Sequence, residues 1–274
     1  MKLSLCNEVV RDLSFAEQCD LAAGLGYQAL EIAPFTLSDN PLTLGSAEVA
    51  AVRRALADAG IVCSSLHWLL VAPEGLSITT EDAAVRTKTL EVMRRLVGLA
   101  AELEAPVLVH GSPLQRNLPA GEEAAARARA IDCFRAAGEA AADAGVVYCI
   151  EPLAKRETNF INTLAEAAKI VQAIDLPALR SMVDCSASAL EEPSVPDLLD
   201  RWLPGDLVAH IQVNDPNRRG PGEGDLAFLP ILQALKRHRY DGWVAVEPFI
   251  YEPDGPTCAA RAAGYLQGLM ESMT

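Results

Sequence analysis

Val208-Ala-His-Ile-Gln-Val-Asn-Asp-Pro-Asn-Arg-Arg-Gly-Pro-Gly-Glu-Gly-Asp225 changes character halfway along. Its first six residues read as a strand. Val208, Ile211 and Val213 are β-branched, and His210 and Gln212 stand two apart on one face. Charge, proline and glycine follow: Asp215, Arg218, Arg219 and Glu223 surround Gly220-Pro221-Gly222, which no regular element tolerates. A buried strand feeding an irregular charged loop is how a barrel or an open α/β sheet presents a site. By itself the stretch reads equally as an ordinary strand-to-helix turn. Three other strands in the chain end the same way, which favours a site.

Working outward, the chain alternates strand and helix throughout. Strands are expected at Lys2–Cys6, Ala29–Ile32, Ile61–Leu66, Val107–Val109, Val146–Ile150, Leu179–Val183, from Val208, and at Trp243–Val246. Helices are expected at 14–23, 46–59, 81–104, 122–144, from 163, at 195–203, 228–238 and 257–270. Thr163-x-x-Glu166 reads as a capping box, and Gly24, Gly60 and Gly145 as helix stops. Eight alternating units imply parallel strands joined by right-handed crossovers, and favour a closed (β/α)8 TIM barrel in a single domain over 1–274. An open doubly wound sheet is the alternative. No Gly-x-Gly-x-x-Gly follows the first strand to suggest a dinucleotide site.

The chain of 274 residues is half hydrophobic and carries a net charge of −14. Roughly 250 residues suffice for such a barrel, and the composition excludes disorder. The charge repels nucleic acid and anionic membrane, and no run reaches the roughly 18 apolar residues of a membrane span. Lys2, Glu8, Arg11, Asp12 and Glu17 interrupt the N-terminus, so no secretory signal is expected. Seven scattered cysteines without a Cys-x-x-Cys pair fit buried free thiols and a cytoplasmic protein. The expected partner is a small, weakly charged molecule; oligomeric state is left open.

Glu151, Asp184, Gln212 and Glu247 end the fifth to eighth strands, about one βα unit apart, so all four should point into one mouth. Three carboxylates there cannot all stay ionised without a partner. A divalent cation removes the conflict, and all-oxygen ligation suits Mn²⁺ or Mg²⁺ rather than zinc. The plainer reading has each acid capping the next helix, pairing with Arg218 or Arg219, or facing solvent. His67 ends the third strand and is expected to touch substrate; His110, ending the fourth, fits contact or structure equally. Glu157 is either a polar partner of the site or a solvated loop acid. Trp68 and Phe249 form either an apolar wall for a sugar's carbon face or core. Glu31 and Asn7 are weaker candidates.

Together these stretches resemble the xylose isomerase-like TIM barrels, the sugar phosphate isomerase/epimerase family of ketose 3-epimerases and hydroxypyruvate isomerases. The resemblance rests on Leu-His-Trp-Leu-Leu at 66–70, Gly-Ser-Pro at 111–113 and Ile-Glu-Pro-Leu…Glu-Thr-Asn-Phe-Ile-Asn at 150–162. Met-Val-Asp at 182–184, His-Ile-Gln-Val-Asn-Asp at 210–215, Arg-Arg-Gly-Pro-Gly-Glu-Gly at 218–224 and Val-Glu-Pro at 246–248 complete it. It implies that Glu151, Asp184, Gln212 and Glu247 bind a divalent metal, that Glu151 and Glu247 are the acid/base pair, and that Glu157 and Arg218 bind substrate. Two positions depart from the pattern. Epimerase relatives carry His where Gln212 stands, whereas hydroxypyruvate-isomerase-like relatives carry Gln. Many relatives also have His where Ala187 stands. The DNA-repair endonuclease branch requires a histidine-rich zinc cluster, which four histidines do not supply.

The implied chemistry is proton removal beside the carbonyl of a ketose or keto-acid sugar, through an enediolate that the metal stabilises. A dehydratase of a polyol ketone on the same site is the first alternative, and a non-catalytic sugar-binding barrel the second.

Overall fold

The computed structural model describes residues 1–273. Its strands are β1 (Lys2–Cys6), β2 (Ala29–Ile32), β3 (Val62–Leu66), β4 (Val107–His110), β5 (Val147–Ile150), β6 (Leu179–Asp184), β7 (Val208–Val213) and β8 (Trp243–Val246). They pair in parallel and in chain order, and β1 closes on β8, giving a (β/α)8 barrel. Around it, among the described residues, lie α1 (Phe15–Gly24), α2 (Ser46–Asp58), α3 (Ala83–Glu102), α4 (Glu123–Ala144), α5 (Leu164–Ile174), α6 (Cys185–Glu191), α7 (Val195–Trp202), α8 (Phe228–Arg237) and α9 (Gly255–Ser272).

Local sequence explains most boundaries. Thr163 and Glu166 form the expected reciprocal cap of α5: the Glu166 N–H donates to Thr163 Oγ1 at 3.2 Å, and the Thr163 N–H to Glu166 Oε2 at 3.3 Å. Gly145 ends α4 with φ 71°, a left-handed turn that glycine takes without a Cβ penalty. The sequence pattern leaves out α6. Asp184 creates it: Oδ1 of this last strand residue accepts the Ala187 N–H at 2.6 Å, so a helix starts where β6 stops.

The strands alternate between two environments. Leu3, Leu5, Leu30, Ile32, Val244 and Val246 face the helices in the large core. Val107, Val109, Cys149 and Met182 form a separate small apolar cluster inside the barrel. The remaining interior is polar, with Ser4 Oγ 2.7 Å from Ser64 Oγ and Glu31 fully buried. Because all strands run the same way, their C-terminal ends share one rim. All seven cysteines are free and buried, and no described helix is long and apolar enough to cross a membrane.

Candidate active site

The rim gathers three of the four expected strand-end ligands directly. Glu151 follows β5, Asp184 ends β6 and Glu247 follows β8, and one carboxylate oxygen from each lies within 4.8 Å of the others. Each is at most 6% exposed. Gln212, next to last in β7, stands opposite Asp184 in register. Backbone bonds hold the two glutamates at the rim: the Glu151 N–H donates to His110 O and the Glu247 N–H to Val213 O, each at 3.2 Å.

Burial first, and then mutual repulsion, pushes the Glu151 carboxyl well above the usual carboxylate range. Burial also raises Glu247 well above it, against the opposing pull of His67. Asp184 is pushed up to about 7, again chiefly by burial, although hydrogen bonds from the Ala187 backbone and Asn214 hold it down. Asp184 therefore does cap a helix, as the plainer reading has it, but through Oδ1 alone. Its Oδ2 and the Gln212 amide oxygen are buried atoms without a hydrogen-bond partner among the described residues. Two orphaned oxygens beside two raised carboxyls form a donor set that fits a hard divalent cation.

The remaining candidates divide. His67 lines the pocket, 1% exposed, with both ring nitrogens engaged: Nδ1 with Glu247 Oε1 at 3.0 Å and Nε2 with Glu8 Oε2 at 2.9 Å. Burial works against its charge, but Glu8 and Glu31, with the hydrogen bonds to Glu247 and Glu8, outweigh burial and raise its pKa well above the usual histidine value. It steadies Glu247 and presents its ring, not a free nitrogen, to the pocket. Glu157 also lines the pocket. Arg218 does not: it is exposed, with φ 71° and its guanidinium 5.1 Å from the centre of the Phe249 ring. Arg219 pairs with Glu252, so neither arginine reaches the acids. His110 is structural. Its Nδ1 lies 2.7 Å from Tyr148 Oη, its ring packs on Phe134, and burial, helped by Arg116, pulls its pKa down to about 3.

A small pocket that opens to solvent lies over the acids. Trp68 and Phe249 form one wall, edge to face at 6.2 Å. Gly111 lines the floor because a Cβ there would collide with the Glu151 carboxylate. Three contributors went unread in the sequence. Arg116, fully buried, donates from Nη1 to the Glu151 carbonyl at 2.7 Å. Asn214 Nδ2 donates to the Glu247 carbonyl at 3.1 Å. Glu8 holds His67. Arg116 lies in the loop beyond β4, away from any strand end, so spacing offered no cue to it. A second group, Cys6, Glu8, His67 and Glu247, also converges, but hydrogen bonds already tie His67 to both glutamates and Cys6 to Glu31.

Comparison with known proteins identifies the family and the fold. The family profile described as xylose isomerase-like TIM barrel matches residues 19–269. A D-psicose 3-epimerase of Agrobacterium fabrum is 27% identical over 241 residues, covering 86% of this chain and 80% of that protein. A ketose 3-epimerase of Arthrobacter globiformis is 27% identical over 235 residues, covering 83% and 78%. Among solved structures, a 3-keto-D-glucoside 4-epimerase from E. coli superposes with TM-score 0.84 at 21% identity, covering 98% of this chain and 99% of that one. A D-psicose 3-epimerase solved in the presence of D-fructose gives 0.82 at 23% identity, with the same coverage. At these identities the structural matches speak for the fold.

Proposed function

This chain belongs to the xylose isomerase-like TIM barrel family, and from that premise we propose that it is a metal-dependent sugar isomerase or epimerase. Its substrate is a ketose or keto-acid sugar, and its reaction moves a proton at the carbon beside the carbonyl. The observation that carries this reading is the convergence of Glu151, Asp184 and Glu247 under a pocket with an aromatic wall.

Glu151, Asp184, Gln212 and Glu247 would hold the cation, Mn²⁺ or Mg²⁺ by their all-oxygen chemistry. When bound, it supplies Lewis-acid stabilisation of the negative charge that develops on the substrate oxygens. The chain's own residues do the rest. Glu151 and Glu247 come from β5 and β8, three strands apart around the barrel, and both line the pocket. They address opposite faces of a planar intermediate. One takes the proton; the other returns one to the opposite face in an epimerisation. The His67 ring orients Glu247, and the Arg116 guanidinium fixes the backbone of Glu151. Trp68 and Phe249 cover the carbon face of the sugar, and Glu157 accepts from a hydroxyl at the rim. Arg218, stacked on Phe249, meets the outer end of the substrate. Acid/base groups so placed contribute roughly 10²–10⁴-fold each.

The test is deuterium wash-in. Mn²⁺-loaded protein incubated with ketoses and keto-acids in D₂O should place deuterium on substrate carbon, and chelator-treated protein should not. Glu151→Gln and Glu247→Gln should each lose turnover by at least about 10²-fold. In a two-base epimerase each variant keeps exchange of one substrate epimer. Wild-type exchange in both variants would show the glutamates are not the acid/base pair.

A further inference from the structure

Glu31 is the buried charge for which the reaction has no use. It interrupts the apolar run Ala29-Leu-Glu-Ile32, has no exposed surface and does not line the pocket. A carboxylate in such a place is costly unless its oxygens are occupied. Here they are. Cys6 Sγ donates to Oε2 at 3.1 Å, His210 Nε2 lies 3.2 Å from Oε1, and the Gln212 amide nitrogen lies 3.3 Å from both. Cys6 Sγ and the Gln212 amide nitrogen both sit on it as donors, so Glu31 meets them as an acceptor.

That property decides the orientation of Gln212. A primary amide has donors on one side and an acceptor on the other, and a half turn exchanges them with little change in shape. A carboxyl group acting as acceptor tolerates the donor side alone. The other neighbour of the amide nitrogen, His67 Nδ1 at 3.5 Å, is already committed to Glu247 and offers no competing acceptor. The Gln212 oxygen is thus turned away from Glu31, and it is one of the two orphaned oxygens of the site. The other, Asp184 Oδ2, belongs to the residue opposite Gln212 in register.

We propose that Glu31 is a positioning residue for the cation site: by accepting from the one amide nitrogen with both of its oxygens it locks the Gln212 oxygen toward Glu151, Asp184 and Glu247. This rests on the reading of those residues as a cation site. It also gives a physical role to the amide at this position. An amide oxygen ligates only in one of two nearly isosteric orientations, and a buried acceptor behind it selects that one. The polar interior of this barrel thereby serves the rim above it.

The experiment is a calorimetric Mn²⁺ titration of chelator-treated full-length protein in four forms: wild type, Glu31→Gln, Gln212→Ala and the double variant. Wild type should bind one ion per chain, and Gln212→Ala should bind more weakly. Glu31→Gln keeps the shape but can donate to the Gln212 oxygen, and should lose 10–100-fold in affinity, the usual range for a residue that orients a ligand. In the Gln212→Ala background the same change should cost less than about 3-fold, because no amide is left to orient. A merely structural glutamate would cost the same in both backgrounds, and that result, or undiminished affinity in Glu31→Gln, overturns the positioning role. Absence of Mn²⁺ binding in wild type, or full affinity in Gln212→Ala, overturns instead the cation reading beneath it. Should Glu31→Gln not fold, Glu31→Asp decides. The drawn-back carboxylate should weaken Mn²⁺ only where Gln212 is present, and an equal loss in both backgrounds overturns the proposal.

Discussion

The smallest side chain at the rim controls the largest consequence. Gly111 leaves its Cβ position to the Glu151 carboxylate, which would collide with any side chain there. The backbone on which Glu151 rides cannot yield, since Arg116 and His110 both bond to it. Gly111→Ala therefore must push the carboxylate itself aside. A displacement of about 1 Å at a reacting group can cost about 10²-fold, so Gly111→Ala should lose activity by that order. Far-ultraviolet circular dichroism should remain native, because the strand is otherwise undisturbed. Activity within a few-fold of wild type would mean that Glu151 has room to spare and is not held in a productive position. The same residue-scale logic explains His67. Its type and strand-end position marked it as a substrate contact, but the carboxylates on either side had already taken both nitrogens.

At the scale of elements, the segment joining β7 to α8 is organised by Asp215 rather than by the arginines that stand out in its sequence. Asp215 is 2% exposed and accepts the N–H groups of Asn217 at 3.3 Å and Leu226 at 3.0 Å, while its own backbone exchanges bonds with Arg218 and Arg219. The Arg218 carbonyl in turn accepts from the N–H groups of Phe249 and Ile250. The loop after β7 thus braces the aromatic wall that follows β8. Asp215→Ala leaves those donors unsatisfied, at about 1–3 kcal/mol each if they stay dry. It should speed amide exchange across 215–226 and raise KM more than it lowers kcat, since the wall shapes the pocket without touching the reacting carbon. Unchanged exchange in the loop, or a loss confined to kcat, would contradict this bracing role.

The molecule as a whole carries a conflict that pH exposes. An unfolded aspartate titrates near 3.9 and an unfolded glutamate near 4.3. In the fold Asp184 keeps its proton to about 7, and Glu151 and Glu247 are also raised. Between about pH 4 and 7 these three carboxyls bind more protons in the metal-free fold than in the unfolded chain, and they outnumber His110, pulled down to about 3, which acts the other way; stability falls as pH rises through that window. The effect is on the order of a few kcal/mol. Thermal unfolding of chelator-treated protein should show a lower Tm at pH 7.5 than at pH 5. Saturating Mn²⁺ should recover most of that loss at pH 7.5, by replacing the missing protons and by binding the folded state alone. A metal-free Tm that rises with pH would mean the three carboxyls are not raised together.

The sequence by itself determined the barrel and the place of its rim. Strand periodicity, helix caps and turn chemistry are local properties, and eight such units leave few ways to close. It also determined which residues meet, because parallel strands of similar length deliver Glu151, Asp184, Gln212 and Glu247 to one edge. Only the tertiary structure decided what each can do there. Whether His67 has a free nitrogen, whether Arg218 faces the pocket or stacks on Phe249, and which way the Gln212 amide turns depend on neighbours from other strands. Glu31 shows the division most sharply. In sequence it is a lone acid in an apolar strand. Its role emerges only when closure of the barrel sets β7 across from β2, because hydrogen-bond direction belongs to pairs of groups in space and leaves no periodic trace along the chain.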